Sequence, residues 1–448
     1  MNNYERLAAF AARYGISVNG PDISGVIDAL LYDMQLGLDC PQDGFPHASQ
    51  QMIPTWTNPP ERVPKNETVI VIDAGGTNFR SCSVRFDNEG RPSIENLERR
   101  SMPGIEREYS KKEFFHTIAS YLEHLKGKSA KIGFCFSYAM KITPENDGQV
   151  INFSKEIKAK EVIGSFVGAS LSDALCSRGW EKPEKVVMLN DTAAALLAGA
   201  SQNIEGKRFG SYAGLILGTG LNTAYIEYGP IKKAQHSART LPESQIVVCE
   251  AGMFDKLARS FFDTEYDKTT NTPGMYVLEK MCSGAYLGGV ASLAVKTACT
   301  EGLFSEKTCK ALSAAGEFGL YDMDRFLHTP YRTDTLLGAA LAGAEADDYD
   351  VLYLLLDMFV DRCARLASSI IAAAVIKSGK GKNPSMPVSV LCEGTTFYKT
   401  HDFEKRFRLY TYQTLTEKRK IYFEQVSVKD DITLGTSAAV LKDIFAAR

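Results

Sequence analysis

Two short stretches of the chain place glycine, threonine and asparagine directly after an apolar run, a combination that lets a backbone lie against a phosphate. The first is Val71-Ile72-Asp73-Ala74-Gly75-Gly76-Thr77-Asn78-Phe79-Arg80. With no Cβ at Gly75 and Gly76, backbone N–H groups can approach an anion closely. Thr77 adds a hydroxyl and Arg80 a cation, while Asp73 could hold the hydration shell of a magnesium ion. The second is Leu217-Gly218-Thr219-Gly220-Leu221-Asn222, a similar cradle followed by an amide able to grip a hydroxyl. Taken singly, either stretch could equally be an ordinary hairpin turn. A Walker-type Gly-x-x-x-x-Gly-Lys-Ser/Thr loop occurs nowhere.

Carboxylates supply the remaining chemistry. Val186 to Leu189 reads as a strand whose end, Asn190-Asp191-Thr192, feeds straight into an alanine- and leucine-rich helix. Ligands of open α/β sheets gather at such strand ends. A helix N-terminus also favours the ionised carboxylate that a general base requires. Asp191 or Thr192 could instead serve only as a helix cap. Glu250 follows another apolar strand, and Glu279 lies in a helical stretch just after Pro273-Gly274. Two carboxylates in a cleft suit a polyhydroxylated ligand, since each oxygen accepts hydrogen bonds; either could also be a solvated surface group.

These groups need a scaffold. β-Branched and alternating runs predict strands at 69–72, 79–86, 131–136, 186–189, 213–217, 223–228, 245–249 and 388–392. Helical patterns separate many of them, which places the chain in the α/β class. The first sixty residues read as helical, notably 25–38, until Pro54, Pro59, Pro60 and Pro64 mark a connection between units. The two glycine/threonine turns are each followed by a second strand. That echo predicts a duplicated α/β domain with a cleft between the halves.

Bulk properties narrow the function classes. A chain of 448 residues exceeds one ordinary core, so two domains are expected. Net charge is −3 without a long block of like charge, which argues against a nucleic-acid arm and leaves any anion to local groups. Glu5 and Arg6 interrupt the first residues, arguing against a secretory signal. The apolar stretch 351–376 carries Asp357, Asp361, Arg362 and Arg365, and so reads as a core helix rather than a membrane span. Ten cysteines lack Cys-x-x-Cys pairs and zinc-ligand spacing, as in reduced thiols of a cytoplasmic protein.

In combination the motifs resemble the hexokinase family. Asp73 to Arg80 matches its first phosphate motif, and Gly133-Phe134-Cys135-Phe136-Ser137-Tyr138 its sugar-binding strand and loop. Ile151-Asn152-Phe153-Ser154-Lys155 stands where the family has Trp-Thr-Lys. Leu189-Asn190-Asp191-Thr192 matches the catalytic segment, and Leu217 to Asn222 the second phosphate motif. Glu250-Ala251-Gly252, Asn271-Thr272-Pro273-Gly274, Leu278-Glu279-Lys280-Met281 and Ser283-Gly284-Ala285-Tyr286-Leu287-Gly288 continue in order, ending at Glu393-Gly394-Thr395, which is like the adenosine motif. Met52-Ile53-Pro54-Thr55-Trp56 fits the entry segment, so the similarity runs from about Val26 onward.

The resemblance implies duplicated actin-like ATPase (ribonuclease H-like) domains, small and large, flanking a central cleft. Residues 1–64 would be a helical segment packing with the large domain, 65–208 the small domain, 209–436 the large domain, and 437–448 a helix returning to the small one. It implies transfer of the γ-phosphoryl group of MgATP to the 6-hydroxyl of glucose or a related hexose such as mannose or fructose, opening glycolysis. A sugar sensor with weak or no turnover on the same fold is the alternative. Asp191 would be the catalytic base, assisted by Lys155. Ser137, Ser154, Lys155, Asn190, Asp191, Asn222, Glu250 and Glu279 would contact the hexose. Asp73, Gly75, Gly76, Thr77, Asn78, Arg80, Gly218, Thr219, Gly394 and Thr395 would line the ATP site. Magnesium would be held by ATP and water near Asp73 and Asp191, without direct protein ligands. A monomer or homodimer, no nucleic acid and no membrane complete the expectation.

The chain departs from the family at several positions. Ser137-Tyr138-Ala139 replaces Ser-Phe-Pro, and Ser154-Lys155-Glu156-Ile157 replaces Thr-Lys-Gly-Phe. Glu250-Ala251-Gly252 replaces Glu-Trp-Gly, Tyr276 a glutamine, and Glu393-Gly394-Thr395 an Asp-Gly-Ser. None removes a charged catalytic group; all bear on sugar preference and affinity.

Overall fold

The computed structural model describes residues 2–17, 19–39, 47–60, 65–75, 78–153, 157–201, 206–234 and 242–441. In chain order the strands are β1 (Ile53–Pro54), β2 (Glu67–Gly75), β3 (Asn78–Phe86), β4 (Pro92–Ser101), β5 (Lys131–Phe136), β6 (Ala139–Ile142), β7 (Gly148–Asn152), β8 (Lys185–Leu189), β9 (Ser211–Leu217), β10 (Leu221–Glu227), β11 (Gln245–Val248), β12 (Val388–Glu393) and β13 (Phe423–Val426). They form one sheet of order β4-β3-β2-β5-β8, a second of order β1-β11-β10-β9-β12-β13, and the separate hairpin β6-β7.

The two large sheets repeat one plan. In the first, β3 runs antiparallel to β2, which pairs in parallel with β5, and β5 with β8. In the second, β10 runs antiparallel to β9, which pairs in parallel with β12, and β12 with β13. The glycine/threonine turns therefore occupy equivalent hairpins, which is the duplication their echo predicts.

The most continuous apolar runs in the sequence are strands buried on both faces, whereas β3, exposed at Asn78, Arg80 and Arg85, is legible from its alternation. Val69 to Ile72, Ile132 to Phe136 and Val187 to Leu189 are all buried, so they appear as continuous apolar runs. β4 is a largely exposed edge of Ser, Glu and Arg, where charge discourages pairing with another chain and no apolar pattern exists to read. β1 corrects the helical reading of the first sixty residues. Pro54 does end the helical region, but it sits on an edge strand opposite Val247 of the second sheet, a place where its missing N–H costs no ladder bond.

Helices α1 (Asn3–Arg13) and α2 (Ile23–Asp39) pack on the long helix Ala346–Lys377, which runs through the largest core. Its charges are matched: Arg362 forks onto Asp263 at 2.7 and 2.9 Å, Arg365 reaches Asp361 at 2.7 Å, and Asp357 receives Arg406 at 2.7 Å. Among the described residues no helix is long and apolar enough to cross a membrane. Helices α3 (Lys111–Tyr121) and α4 (Val167–Ser177) cover one face of the first sheet through Phe114, Phe115, Ile118 and Leu171.

The other face of that sheet meets α5 (Asp191–Ser201) and the last described helix, Asp431–Leu441, which begins at Asp431 rather than at residue 437. Thr192 through Gly199 are buried without exception, so α5 has no solvent side. Its small residues permit backbone-to-backbone contact on two fronts. A Cβ on Gly435 would land on the carbonyl oxygen of Ala194, and one on Gly214 of β9 would lie 3.3 Å from both Leu196 N and Thr192 O. The helix is thus wedged between the sheets.

That contact yields a test. Gly435→Ala must push the two helices apart, and overpacking of this kind costs about 1–3 kcal/mol. The substitution should lower the denaturation midpoint accordingly, whereas an unchanged midpoint would mean that the helices are not in backbone contact.

Candidate active site

The wedge fixes the ends of the strands, where the candidate residues lie. Asp73 stands near the tip of β2 opposite Arg80, whose guanidinium reaches its carboxylate only loosely at 3.8 Å. Burial pushes the Asp73 carboxyl up to about 6; Arg80 opposes the shift and Asp191 adds to it. Ser137, just past β5, donates its backbone N–H to Ala74 O at 3.1 Å. Its Oγ lies 3.3 Å from where a Cβ on Gly75 would stand, so the glycine leaves the hydroxyl room. Asn78 and Arg80 are exposed on β3. Gly76 and Thr77 of the first turn, and Ser154 and Lys155 of the sugar loop, lie outside the described residues.

β8 delivers Asn190 and Asp191 to the start of α5. Thr192 N lies 2.8 Å from Asn190 Oδ1 and 2.7 Å from Asp191 Oδ1, and the Thr192 hydroxyl also donates to Asp191 Oδ1 at 3.2 Å. The capping and functional readings of Asp191 are therefore compatible, because one oxygen of the carboxylate serves the helix and fixes the direction of the other.

From the second sheet, Asn222 on β10 donates its amide to Glu250 Oε1 at 2.9 Å. Asn222 Oδ1 accepts Thr223 N at 2.8 Å and Ala251 N at 3.3 Å, which locks the amide orientation. Glu250 adopts a left-handed backbone, φ 56°, between β11 and a single turn at Ala251–Met253. Such a conformation in a non-glycine residue is strained and persists only where neighbours enforce it. Burial pushes the Glu250 carboxyl up to about 7; Asn222 pulls it back, while Asp191 and Glu279 push it further. Charges from both sheets thus act on one carboxylate.

Glu279 lies on the short helix Val277–Cys282 and accepts the N–H of Leu221 at 2.9 Å, immediately after the second turn. Ala251 is fully buried, and a Cβ on Gly252 would stand 2.9 Å from Leu221 O and 3.1 Å from Glu279 Cβ, so the segment behind Glu250 is closely filled. Tyr276 heads this helix at φ 53°, and burial together with the charges of Glu250 and Glu279 raises the pKa of its phenol.

The second turn is braced from two sides. Gly218 O accepts the Thr396 hydroxyl and Gly284 N, each at 2.8 Å, and Thr219 O accepts Ala285 N at 3.3 Å. Gly394 has φ 118°, and any Cβ there would strike Leu217 O. Gly218, Thr219 and Gly394 thus form one surface. Thr395 opens the helix Thr395–Lys399 exposed to solvent, and it is Thr396 that holds Gly218. Sequence reasoning missed Thr396 and also Asp431, a buried carboxylate near Asp73 and Glu393. The only sequence signal for Asp431 is an aspartate opening an apolar helix of small residues. Asp191, Glu250 and Glu279 are thus close enough for their charges to interact, and Glu279 also braces the start of β10 beside the second glycine turn.

Two family models described as hexokinase match the chain, one over residues 212–442 and one over residues 12–201. The chain belongs to the hexokinase family. Hexokinase-5 of Oryza sativa subsp. japonica is 27% identical over 422 residues, spanning 88% of this chain and 80% of that protein. Hexokinase-2 of Equus caballus is 26% identical over 382 residues, spanning 81% of this chain and 41% of that longer protein. Among solved structures, the hexokinase from Schistosoma mansoni complexed with glucose superposes with a TM-score of 0.76 over 98% of each chain at 24% identity. The chain has the two-domain actin-like ATPase fold expected from its motifs.

The carboxyl cluster sets a pH dependence. Glu250, with its pKa raised to about 7, holds its proton more tightly in the folded chain than in the unfolded one, and Asp73, raised to about 6, behaves likewise. Their stabilising protonated forms are complete below the ordinary carboxyl values and lost as pH rises through the raised ones, so ligand-free stability should fall between about pH 4 and pH 7. Glu250→Gln should flatten that decline in melting temperature. Identical declines in the two proteins would show that Glu250 is not strained by its neighbours' charges.

Proposed function

We propose that the chain transfers the γ-phosphoryl group of MgATP to the 6-hydroxyl of a hexose such as glucose, with residues 65–208 and 209–436 as the two lobes around the substrate. The observation that carries this reading is the convergence of Asp191, at the end of β8, with Glu250, at the end of β11, and Glu279 of the helix Val277–Cys282, beside a glycine turn that Glu279 itself braces through Leu221. Three oxygen-rich side chains suit sugar hydroxyls, and the adjoining turn suits phosphates.

The residues present fit a magnesium nucleotide. Gly394 keeps the surface against Leu217 open where a side chain would fill it, and Asp73 is a carboxylate with only a distant cation beside it. When bound, the nucleotide and its ion supply the phosphoryl group and much of its charge compensation. Because phosphoryl transfer passes through a loose transition state, the protein acts mainly by positioning. Asn222, Glu250 and Glu279 would orient the sugar ring, with Ser137 beside Gly75 on the other lobe. Asp191 would align the 6-hydroxyl and accept its proton. Gly218, Thr219 and Gly394 would seat the phosphates and adenosine. Ser154 and Lys155 keep the roles that family resemblance gives them: sugar contact and charge compensation at the transferred group.

Sugar contacts on both lobes would draw them together and exclude water, a competing hydroxyl nucleophile. ATP hydrolysis without sugar should therefore run far below the kinase rate, and equal rates would refute closure. The sensor reading draws on Tyr276, whose phenol shares the environment of Glu250 and Glu279. A coupled assay with glucose, mannose, fructose and glucosamine separates the two readings. Asp191→Ala should remain folded and bind sugar while turnover drops about 10²–10⁴-fold. Wild-type turnover in that variant would remove Asp191 from the mechanism.

A further inference from the structure

Asp431 opens the Asp431–Leu441 helix and is 6% exposed. Its Oδ1 accepts the N–H of Ile432 at 2.8 Å, but its Oδ2 is shut off from solvent and has no hydrogen-bond partner among the described residues. A buried carboxylate oxygen in that state is destabilising unless a donor or cation reaches it.

Its position indicates what that donor is. The carboxylates of Asp73, at the tip of β2, and Glu393, at the tip of β12, both act on Asp431. Asp73, Asp191 and Asp431 in turn all act on the buried thiol of Cys135 near the end of β5. Asp431 thus lies on the helix packed against β2 and β5, within reach of the charges at the ends of β2 and β12. The helix cannot easily tilt it away, because Gly435 abuts Ala194 and a Cβ on Gly133 would sit 2.7 Å from Thr436 O. Among the described residues no lysine or arginine pairs with Asp191, Glu393 or Asp431, and Asp73 has only the loose ion pair to Arg80. Nor do the described residues include three His, Cys, Asp or Glu side chains spaced to grip a bare ion. Carboxylates gathered this way, too spread for direct coordination, match the outer shell of a cation that retains its waters, as magnesium does.

We propose that Asp431 is a positioning residue for the cation-bound nucleotide, its unpartnered Oδ2 accepting a hydrogen bond from a water of the cation's shell. This rests on the kinase reading and adds to it a third carboxylate, carried by the helix that also braces α5. Metal-free nucleotide would gain nothing from Asp431, since it brings only more negative charge.

The test is calorimetric titration of ADP, with and without Mg²⁺, into the wild-type protein and Asp431→Asn. The magnesium-dependent gain in affinity should shrink about tenfold in the variant, the effect of losing one charge-assisted hydrogen bond. Affinity for metal-free ADP should be equal or tighter, and the ligand-free melting temperature equal or higher. An unchanged magnesium gain, or an equal loss of both affinities, would overturn the proposal. Asp431→Ser answers to the same criteria if the asparagine variant misfolds. In the wild type, amide exchange at the first turn of the Asp431–Leu441 helix should slow with MgADP and not with metal-free ADP; equal slowing would likewise overturn it. A wild-type chain that binds neither form of ADP would refute the kinase reading as well, whereas normal MgADP binding with an unaltered variant ratio refutes this inference alone.

Discussion

The contact on which the site depends is between backbones, at α5. A helix of alanine, leucine and glycine touches the Asp431–Leu441 helix on one side and β9 on the other, with Gly435 and Gly214 supplying the room. Alanine buries little apolar area, so cohesion there comes from close packing over many atoms rather than from large side chains. The gain is precision. A helix clamped on two fronts holds its first residue, Asp191, at a fixed height relative to both sheets, and a carboxylate acting on a reacting hydroxyl needs that constancy.

Against this rigid element the fold sets groups that repel one another. Asp73, Asp191, Glu250, Glu279 and Asp431 approach from separate elements, and burial raises the pKa of Asp73, Glu250 and Asp431. Glu250 adds a left-handed backbone to an electrostatic cost. Concentrated local conflict in an otherwise consistent fold is a signature of a functional site rather than of a stability element. The conflict is contained because neighbouring hydrogen bonds are well made: Asn222 is satisfied on both ends, and Glu279 receives a backbone N–H.

Much of this was legible in sequence, for a physical reason. Parallel strands covered on both faces, β2, β5 and the edge strand β8, announce themselves as apolar runs, and close backbone approach with a positive φ forces glycine at Gly394. The missed elements lack such signals. β4 is charged because it is an edge, β1 is two residues long, and β13 is only half-buried. Asp431 was invisible because its meaning comes from Asp73 and Glu393, hundreds and tens of residues away, and from the oxygen that no neighbour satisfies. Thr395 drew notice through its motif, yet the adjacent Thr396 does the bracing, because helical geometry turns successive side chains to different sides.

The order in which the chain visits the two sheets has a consequence for biosynthesis. β1 joins the second sheet, β2 to β5 and β8 build the first, β9 to β13 return to the second, and the Asp431–Leu441 helix goes back to the first, completing a core with Val69, Val71 and Leu189. The second sheet is interrupted by the first, and the first, though its strands fall within one stretch of the chain, takes part of its cover from residues more than two hundred positions later. A nascent chain halted after β8 would expose an apolar sheet face whose cover has yet to be translated, so folding of the first half must await the last described helix. Non-local closure of this kind slows folding and leaves the half-made protein dependent on holding factors.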